Sequence, residues 1–300
     1  LTLSTGNDPQ QSALCDPDRA VAGDSVVPAG SAGLPEGSWW RGGPRLFFFL
    51  LMTPVLIACG LMAEKRRKGG IDRWTRRYCR IVLWLLGIKV VAEGEPEAGR
   101  PTLIVSNHVS YFDILAMETL APLVFVAKSE VEGWPVFGWM AKIARTVFID
   151  RRPAAAREQT ELLGSHIKAG ERLVVFPEGT SSDGTGVLPF KSSLFALAEA
   201  VGREGSLKVQ PVSVVYERLA DGRPINPPLT GLYGWYADMD FLPHLLRAFR
   251  LRGATMRIIF HPSLEANGYE GGRKRLSADC EAMVRAGVER CRSSLGQDGA

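Results

Sequence analysis

One stretch of the chain pairs residue types and spacing that could do chemistry: Ser106-Asn107-His108-Val109-Ser110-Tyr111-Phe112-Asp113. An apolar run, Thr102 to Val105, precedes it and predicts a short buried strand. Ile114 to Leu120 follows and predicts a helix. His108 therefore falls where a strand hands over to a helix, a place that leaves a side chain free to meet a substrate. On one continuous helix, His108 and Asp113 would sit roughly 140° past a full turn from each other and share no face. A histidine in the loop and an aspartate in the first helical turn can meet. The carboxylate would then fix the imidazole tautomer, and His108 could take a proton from a hydroxyl. The same residues also fit a capping box, with Ser110 at the cap and Asp113 three positions on, and His108 is then an ordinary loop residue. The two roles are compatible, and these residues alone leave both open.

Three further blocks follow, two of them with groups suited to an anionic ligand. The first holds Lys128, then Gly133-Trp134-Pro135-Val136-Phe137-Gly138, then Phe148-Ile149-Asp150-Arg151-Arg152. A guanidinium at a strand end offers bidentate recognition of phosphate or carboxylate, although Arg151 could equally pair with a nearby acid. The second is Phe176-Pro177-Glu178-Gly179-Thr180, where a glycine turn can expose backbone N–H groups to an oxyanion. The third is Val209 to Tyr216, with Pro211 expected near a strand start. The chain has no G-x-S-x-G nucleophile elbow and no clustered metal-ligand spacing. Covalent catalysis by a serine nucleophile is therefore not expected, nor is a metal or cofactor.

Asn107-His108-x-Ser110-x-x-Asp113, followed in order by these blocks, resembles the signature of the glycerolipid acyltransferases, the lysophosphatidic acid acyltransferase family, over roughly residues 75 to 265. The resemblance implies an O-acyltransferase that moves an acyl chain from a coenzyme A or acyl carrier protein thioester to the free hydroxyl of a lysolipid. It makes His108 and Asp113 the catalytic pair. It assigns Arg151, Glu178, Gly179 and Thr180 to the acceptor site, with Lys128 and Lys191 as further substrate-binding residues. The leading acceptor it implies is 1-acyl-sn-glycerol-3-phosphate, giving phosphatidic acid. One departure argues otherwise. Many members continue with Arg-Ser after the threonine, whereas here Ser181-Ser182-Asp183-Gly184 follows. The missing cation suits a zwitterionic or amino-acid headgroup, as in the subset that acylates lyso-ornithine lipid. A lipid hydrolase using water, or a noncatalytic membrane-binding module, are the readings from other classes.

Around these blocks the chain alternates strand-like and helix-like runs from residue 88. Strands are expected near residues 90–92, 103–105, 123–126, 146–149, 173–176, 212–216 and 256–260, with helices over 154–168 and 192–201. The fold class this predicts is α/β, a mixed, largely parallel sheet covered by helices, with an N-terminal membrane-associated helical segment. The expected domains are a disordered tail over 1–38, a membrane-anchoring segment over 39–87, an acyltransferase domain over 88–267 and a helical tail over 268–300. The tail is rich in Gly, Pro, Ala and Ser, and without a basic n-region no secretory signal is expected.

Leu46 to Ala63 is uncharged throughout, and Trp39 and Trp40 precede it as interfacial anchors. Either a bilayer span or a half-inserted hairpin fits it. Residues 65 to 80 hold eight basic side chains and one acid, a charge of +7 that leaves −3 for the rest of a +4 chain. That concentration points to anionic lipid headgroups at a bilayer, with no nucleic acid partner. It puts the active site on the cytoplasmic face of a membrane, a bacterial inner membrane. The five cysteines are scattered with no C-x-x-C pair, which fits a reducing compartment. Residues 235–252 predict a basic amphipathic helix with Phe241, Leu242, Leu245, Leu246 and Phe249 on one face. His244 in it reads as a surface or capping residue.

Overall fold

The structure is a computed structural model that describes residues 35, 37–66, 70–98, 101–133, 138, 141, 145–150 and 156–297. The expected disordered tail lies outside them except for residues 35, 37 and 38, and Trp134, Pro135, Phe137, Arg151 and Arg152 also lie outside.

Strand β2 (Thr102–Ser106) explains where the sheet forms. All five residues are buried, and its apolar run has no polar alternation, which is the pattern of a parallel strand covered on both faces. It lies between β5 (Arg172–Val175) and β6 (Lys208–Leu219), parallel to both, with Val105 opposite Val175 on one side and Pro211 on the other. The sheet continues outward from β6 through β7 (Ala254–Phe260) to β1 (Ile88–Glu93), and from β5 through β3 (Val124–Lys128) to β4 (Val147–Ile149). A short β8 (Leu264–Glu265) pairs with β6. The pairs of β6 with β7 and β8 are antiparallel and the others parallel, so the expected mixed, largely parallel sheet is what forms. Pro211 falls between the β8 and β7 pairings of β6, where a missing N–H leaves those ladders intact.

Successive residues of β2 face opposite layers. Ile104 packs in the core shared with α2 (Gly70–Leu86), α3 (Phe112–Leu120) and α7 (Phe241–Arg250). Leu103 and Val105 pack in the core shared with α5 (Ala156–Lys168), α6 (Ala196–Glu204) and α8 (Gly272–Gln297). A single turn, α4 (Ser129–Glu132), follows β3. The terminal α8 buries Leu276, Cys280, Val284, Val288 and Cys291 along one stripe. Its Gly287 permits the approach, since a Cβ there would lie 2.4 Å from Ser213 Oγ and 2.8 Å from His261. His261 Nε2 is 2.7 Å from Ser213 Oγ, which donates to the Val284 carbonyl, so this histidine serves packing.

Helix α1 (Trp39–Arg66) extends beyond the expected apolar run and takes in Arg41 and Arg45. Trp39–Ala63 has a mean hydropathy of 2.4 in its best window, of which 6% is buried. Its length is enough to cross a hydrocarbon layer of ~30 Å at ~1.5 Å per residue. Arg41 and Arg45 donate to the carbonyls of Arg250 (3.0 Å) and Leu251 (2.7 Å) at the end of α7, a favourable place for cations. Helix α2 runs back along α1, burying Ile71, Cys79, Val82, Leu83 and Leu86 while Arg73, Arg77, Arg80 and Trp84 stay exposed. It ends at Gly87, whose φ of 71° and contact with the Arg252 carbonyl leave no room for a Cβ.

Candidate active site

His108 lies in the loop between β2 and α3, and Asp113 in the first turn of α3. His108 Nδ1–H donates to Asp113 Oδ2 at 2.9 Å, with the histidine side chain 18% exposed and the aspartate fully buried. The buried carboxylate is fully used. Oδ2 also accepts the backbone N–H groups of Val109 (2.7 Å) and Ser110 (2.9 Å), and Oδ1 accepts the Tyr216 hydroxyl from β6 at 2.8 Å. Half of the expected capping box is present, because Asp113 reaches back to Ser110. The other half is weak, with Ser110 Oγ 3.5 Å from the Phe112 nitrogen. Capping and orientation of His108 thus fall on one carboxylate.

The backbone of His108 is held at both ends. Its N–H donates to Glu178 Oε2 (3.0 Å), and its carbonyl accepts the Ser182 N–H (2.8 Å) and hydroxyl (3.2 Å). The neighbouring Asn107 side chain pairs with both the N–H and the carbonyl of Val214, mimicking a strand partner. The Phe176 ring stacks on the imidazole with centroids 4.1 Å apart and planes 19° off parallel. With Nδ1–H committed to Asp113, Nε2 is the basic nitrogen, and it makes no hydrogen bond among the described residues.

A cavity of about 490 Å³ opens beside this imidazole. Helix α2 walls it with Ile71, Trp74, Thr75, Tyr78, Cys79 and Val82, a continuous stripe at helical spacing. Phe49, Leu56, Ile57 and Gly60 of α1, Ile114 and Leu115 of α3, and Phe241 and Leu245 of α7 complete the apolar lining. Lys128 at the end of β3 lines it too, as do Gly179, Thr180 and Ser181.

The expected acceptor residues separate into groups. Lys128, Gly179 and Thr180 share the cavity with His108. Lys191 lies over Gly179, with Nζ 2.6 Å from where a Cβ would be. The Gly179 N–H closes the turn onto the Phe176 carbonyl at 3.0 Å. Glu178 is turned inward, 2% exposed, where its two oxygens accept the N–H groups of His108 and Leu188. Burial, reinforced by the nearby Asp113 charge, pushes its pKa up from 4.5 to about 7 against the pull of those two N–H bonds and Arg285. Pro211 is buried in β6 and is not among the cavity-lining residues.

His244 corrects the surface assignment made from sequence. It is buried, and its Nδ1 lies 2.9 Å from the Tyr111 hydroxyl. Burial and then the Arg247 charge lower its pKa from 6.5 to about 4, which keeps it neutral. The buried face of α7 is His244, Ala248 and Phe249, while Leu242 is 60% exposed. Sequence reasoning also missed Tyr216, Phe176 and Ser182 as supports of His108.

The acyltransferase family profile matches residues 87–215. A lyso-ornithine lipid O-acyltransferase of Rhodobacter capsulatus is 36% identical over 253 residues, covering 83% of this chain and 88% of the relative. This chain belongs to the acyltransferase family. The lyso-ornithine lipid O-acyltransferase of Brucella abortus is 38% identical, covering 71% of this chain and 82% of that one. A 1-acyl-sn-glycerol-3-phosphate acyltransferase of Neisseria meningitidis is 30% identical, covering 71% and 92%. The crystal structure of the 1-acyl-sn-glycerophosphate (LPA) acyltransferase PlsC of Thermotoga maritima shares the fold, with a TM-score of 0.62, 23% identity, and 84% of this chain and 96% of that one covered. The chain is therefore an acyl-transferring enzyme that takes a lysolipid and an acyl donor and is associated with membrane.

Proposed function

We propose that this enzyme acylates the free hydroxyl of lyso-ornithine lipid. The observation that carries this reading is the wall of the site after Gly179. There Thr180 and Ser181 line the cavity and Ser182 holds the His108 carbonyl, so the position where many members of the family carry an arginine holds a hydroxyl. Among the described residues, Lys128 is the cation lining the cavity. A zwitterionic amino-acid headgroup matches that modest positive charge better than a phosphate does. The two lyso-ornithine lipid relatives, at 36% and 38% identity, support the same choice over the glycerophosphate acceptor first expected.

In the reaction, His108 Nε2 accepts the proton of the acceptor hydroxyl as its oxygen attacks the thioester carbonyl. Asp113 stabilises the imidazolium that forms. The C–O bond forms, the tetrahedral oxyanion collapses, the C–S bond breaks, and the departing thiolate takes the proton back from the imidazolium. General-base catalysis of this kind contributes typically about 10²–10⁴-fold. Arg151, Lys128 and Lys191 would hold the acceptor headgroup, and the thioester would be carried by acyl carrier protein or coenzyme A.

The hairpin of α1 and α2 would dip into the cytoplasmic leaflet of a bacterial inner membrane without crossing it. Cations stand at both ends of α1, Arg41 and Arg45 at one and Lys65 at the other, and α2 returns with Arg73, Arg77 and Arg80 outward. That arrangement holds the mouth of the cavity at the level where a lysolipid presents its hydroxyl.

Purified enzyme given equal amounts of lyso-ornithine lipid and lysophosphatidic acid, with an acyl thioester, tests the proposal by mass spectrometry of the products. Ornithine lipid should dominate. Predominant phosphatidic acid would overturn the acceptor assignment, and free fatty acid formed without an acceptor would indicate a hydrolase.

A further inference from the structure

A second cleft, of about 900 Å³, lies apart from the cavity that holds His108. Among the described residues the two have no lining residue in common. The cleft forms where the first turns of α1 pass the last turns of α2 and the start of β1, with Thr119 and Leu120 of α3 at its edge. Leu83, Leu85 and Ile88 give it a buried apolar floor. Three cations stand in its wall, Arg45, Arg80 and Lys89, and among the described residues no acid does. None of the three pairs with a carboxylate among the described residues either. Arg45 donates from one nitrogen to the Leu251 carbonyl at 2.7 Å, and Arg80 from one to the Thr119 carbonyl at 3.0 Å. Those bonds fix the two guanidinium groups and leave further N–H donors on each. Lys89 is exposed.

Aromatic rings accompany these cations. Phe48 follows Arg45 by three residues on α1, and Trp84 follows Arg80 by four on α2, so each ring stands one turn along the same face as its guanidinium. Both rings line the cleft, yet Phe48 is 51% and Trp84 76% exposed. They lie at the side where the apolar surface of α1 is uncovered. Gathered cations without a counter-charge repel one another, and uncovered large apolar rings are unfavourable in water. A ligand with both a hydrocarbon chain and an anionic group relieves both. A zwitterionic lipid would bring a further cation to the three already present, whereas a lipid of net negative charge would not.

We infer that this cleft binds one anionic phospholipid of the surrounding leaflet, with its phosphate at Arg45, Arg80 and Lys89 and an acyl chain along Phe48 and Trp84. The site is distinct from the general attraction of the basic segment for a charged surface. Arg45 and Lys89 lie outside residues 65–80, and the outward Arg73 and Arg77 do not line the cleft. The bound lipid is not a substrate, because the reacting groups meet in the other cavity. This inference rests on the reading that the α1–α2 hairpin meets the bilayer, and not on which lysolipid is acylated.

The test uses the full-length enzyme in neutral detergent micelles, titrated with phosphatidylglycerol, phosphatidylcholine of the same chains, or inorganic phosphate, with retained molecules counted by native mass spectrometry. One phosphatidylglycerol should be retained per chain at saturation, at least about 5-fold more tightly than either of the others. Lys89→Gln, at an exposed position, should weaken it about 5-fold, and Arg80→Gln with Lys89→Gln about 25-fold, at roughly one such factor per cation removed. Arg80→Lys should hold it better than Arg80→Gln. Arg73→Gln with Arg77→Gln removes the same charge outside the cleft and should change retention by less than about 2-fold. Excess lysolipid acceptor should leave the phospholipid bound. Equal retention of phosphatidylcholine or phosphate, equal losses in the two double variants, or displacement by lysolipid would overturn the inference. Displacement by acyl carrier protein would make the cleft a docking surface for an acidic protein and overturn it too. Each of these results leaves the acceptor assignment to the product analysis, which does not depend on this cleft.

Discussion

Asp113→Asn isolates charge from geometry at the site. Asp113 accepts three donors at Oδ2, namely His108 Nδ1–H, the Val109 N–H and the Ser110 N–H, and one at Oδ1, the Tyr216 hydroxyl. An asparagine can turn its oxygen to the three-donor side and its amino group to Tyr216, whose hydroxyl can rotate and accept. The loop that carries His108 then stays in place, and the loss is the negative charge behind the imidazole. A hydrogen bond to a charged group contributes about 1.5–3 kcal/mol against about 0.5–1.5 for a neutral one. The difference grows when an imidazolium forms beside a fully buried partner. The serine protease triad sets the scale, where the equivalent change lowers kcat by about 10⁴. Here kcat should fall by at least ~10², with the KM for the acyl thioester little changed and the thermal midpoint within a few degrees of wild type. Initial rates across acceptor concentrations, together with a thermal melt of the same preparation, measure both. A variant that folds as well as wild type and keeps kcat within ~5-fold would refute the role of the carboxylate.

Two further outcomes follow from the supports of the imidazole. Phe176→Ala removes the ring stacked 4.1 Å from His108 and should lower kcat by roughly 10-fold, since small displacements of a catalytic group are costly, with stability reduced only modestly; steady-state kinetics would show it, and an unchanged kcat would show that the ring only fills space. Glu178, with its pKa raised from 4.5 to about 7, holds a proton in the folded chain. Its contribution to stability is full below pH ~4.5 and is lost as pH rises through 7, a decline of about 3 kcal/mol between about pH 5 and 8. Urea midpoints across that range should show the decline, and Glu178→Gln should reduce its slope; a slope unchanged in the variant would contradict the buried, protonated acid.

The parts of the fold and site legible in the sequence are the local ones. The β2 run and the His108–Asp113 spacing lie within a dozen residues, so strand, loop and first helical turn could be placed together. Each expected strand run falls on one of β1 to β7 to within a residue, because buried strands leave continuous apolar signals. The supports of His108 were not legible. Tyr216 comes from β6 and Phe176 from the end of β5, and only the strand order brings them beside β2. His244 was misread because hydropathy places a histidine outside, whereas the Tyr111 hydroxyl gives it a buried partner. Glu178 looked like a ligand group, since the sequence does not reveal that its carboxyl turns inward to two backbone N–H groups. The two-residue β8 pairs with β6 through sequence too short to show a period.

The most direct test of the central claim is acyl transfer by His108→Ala, measured against wild type with the same thioester and lysolipid and accompanied by circular dichroism. Removing the imidazole leaves Asp113 its Val109, Ser110 and Tyr216 partners, so the fold should be retained. Turnover should drop by about 10³-fold or more, to a rate that raising the pH does not restore. Near-wild-type transfer by the folded variant would contradict the account.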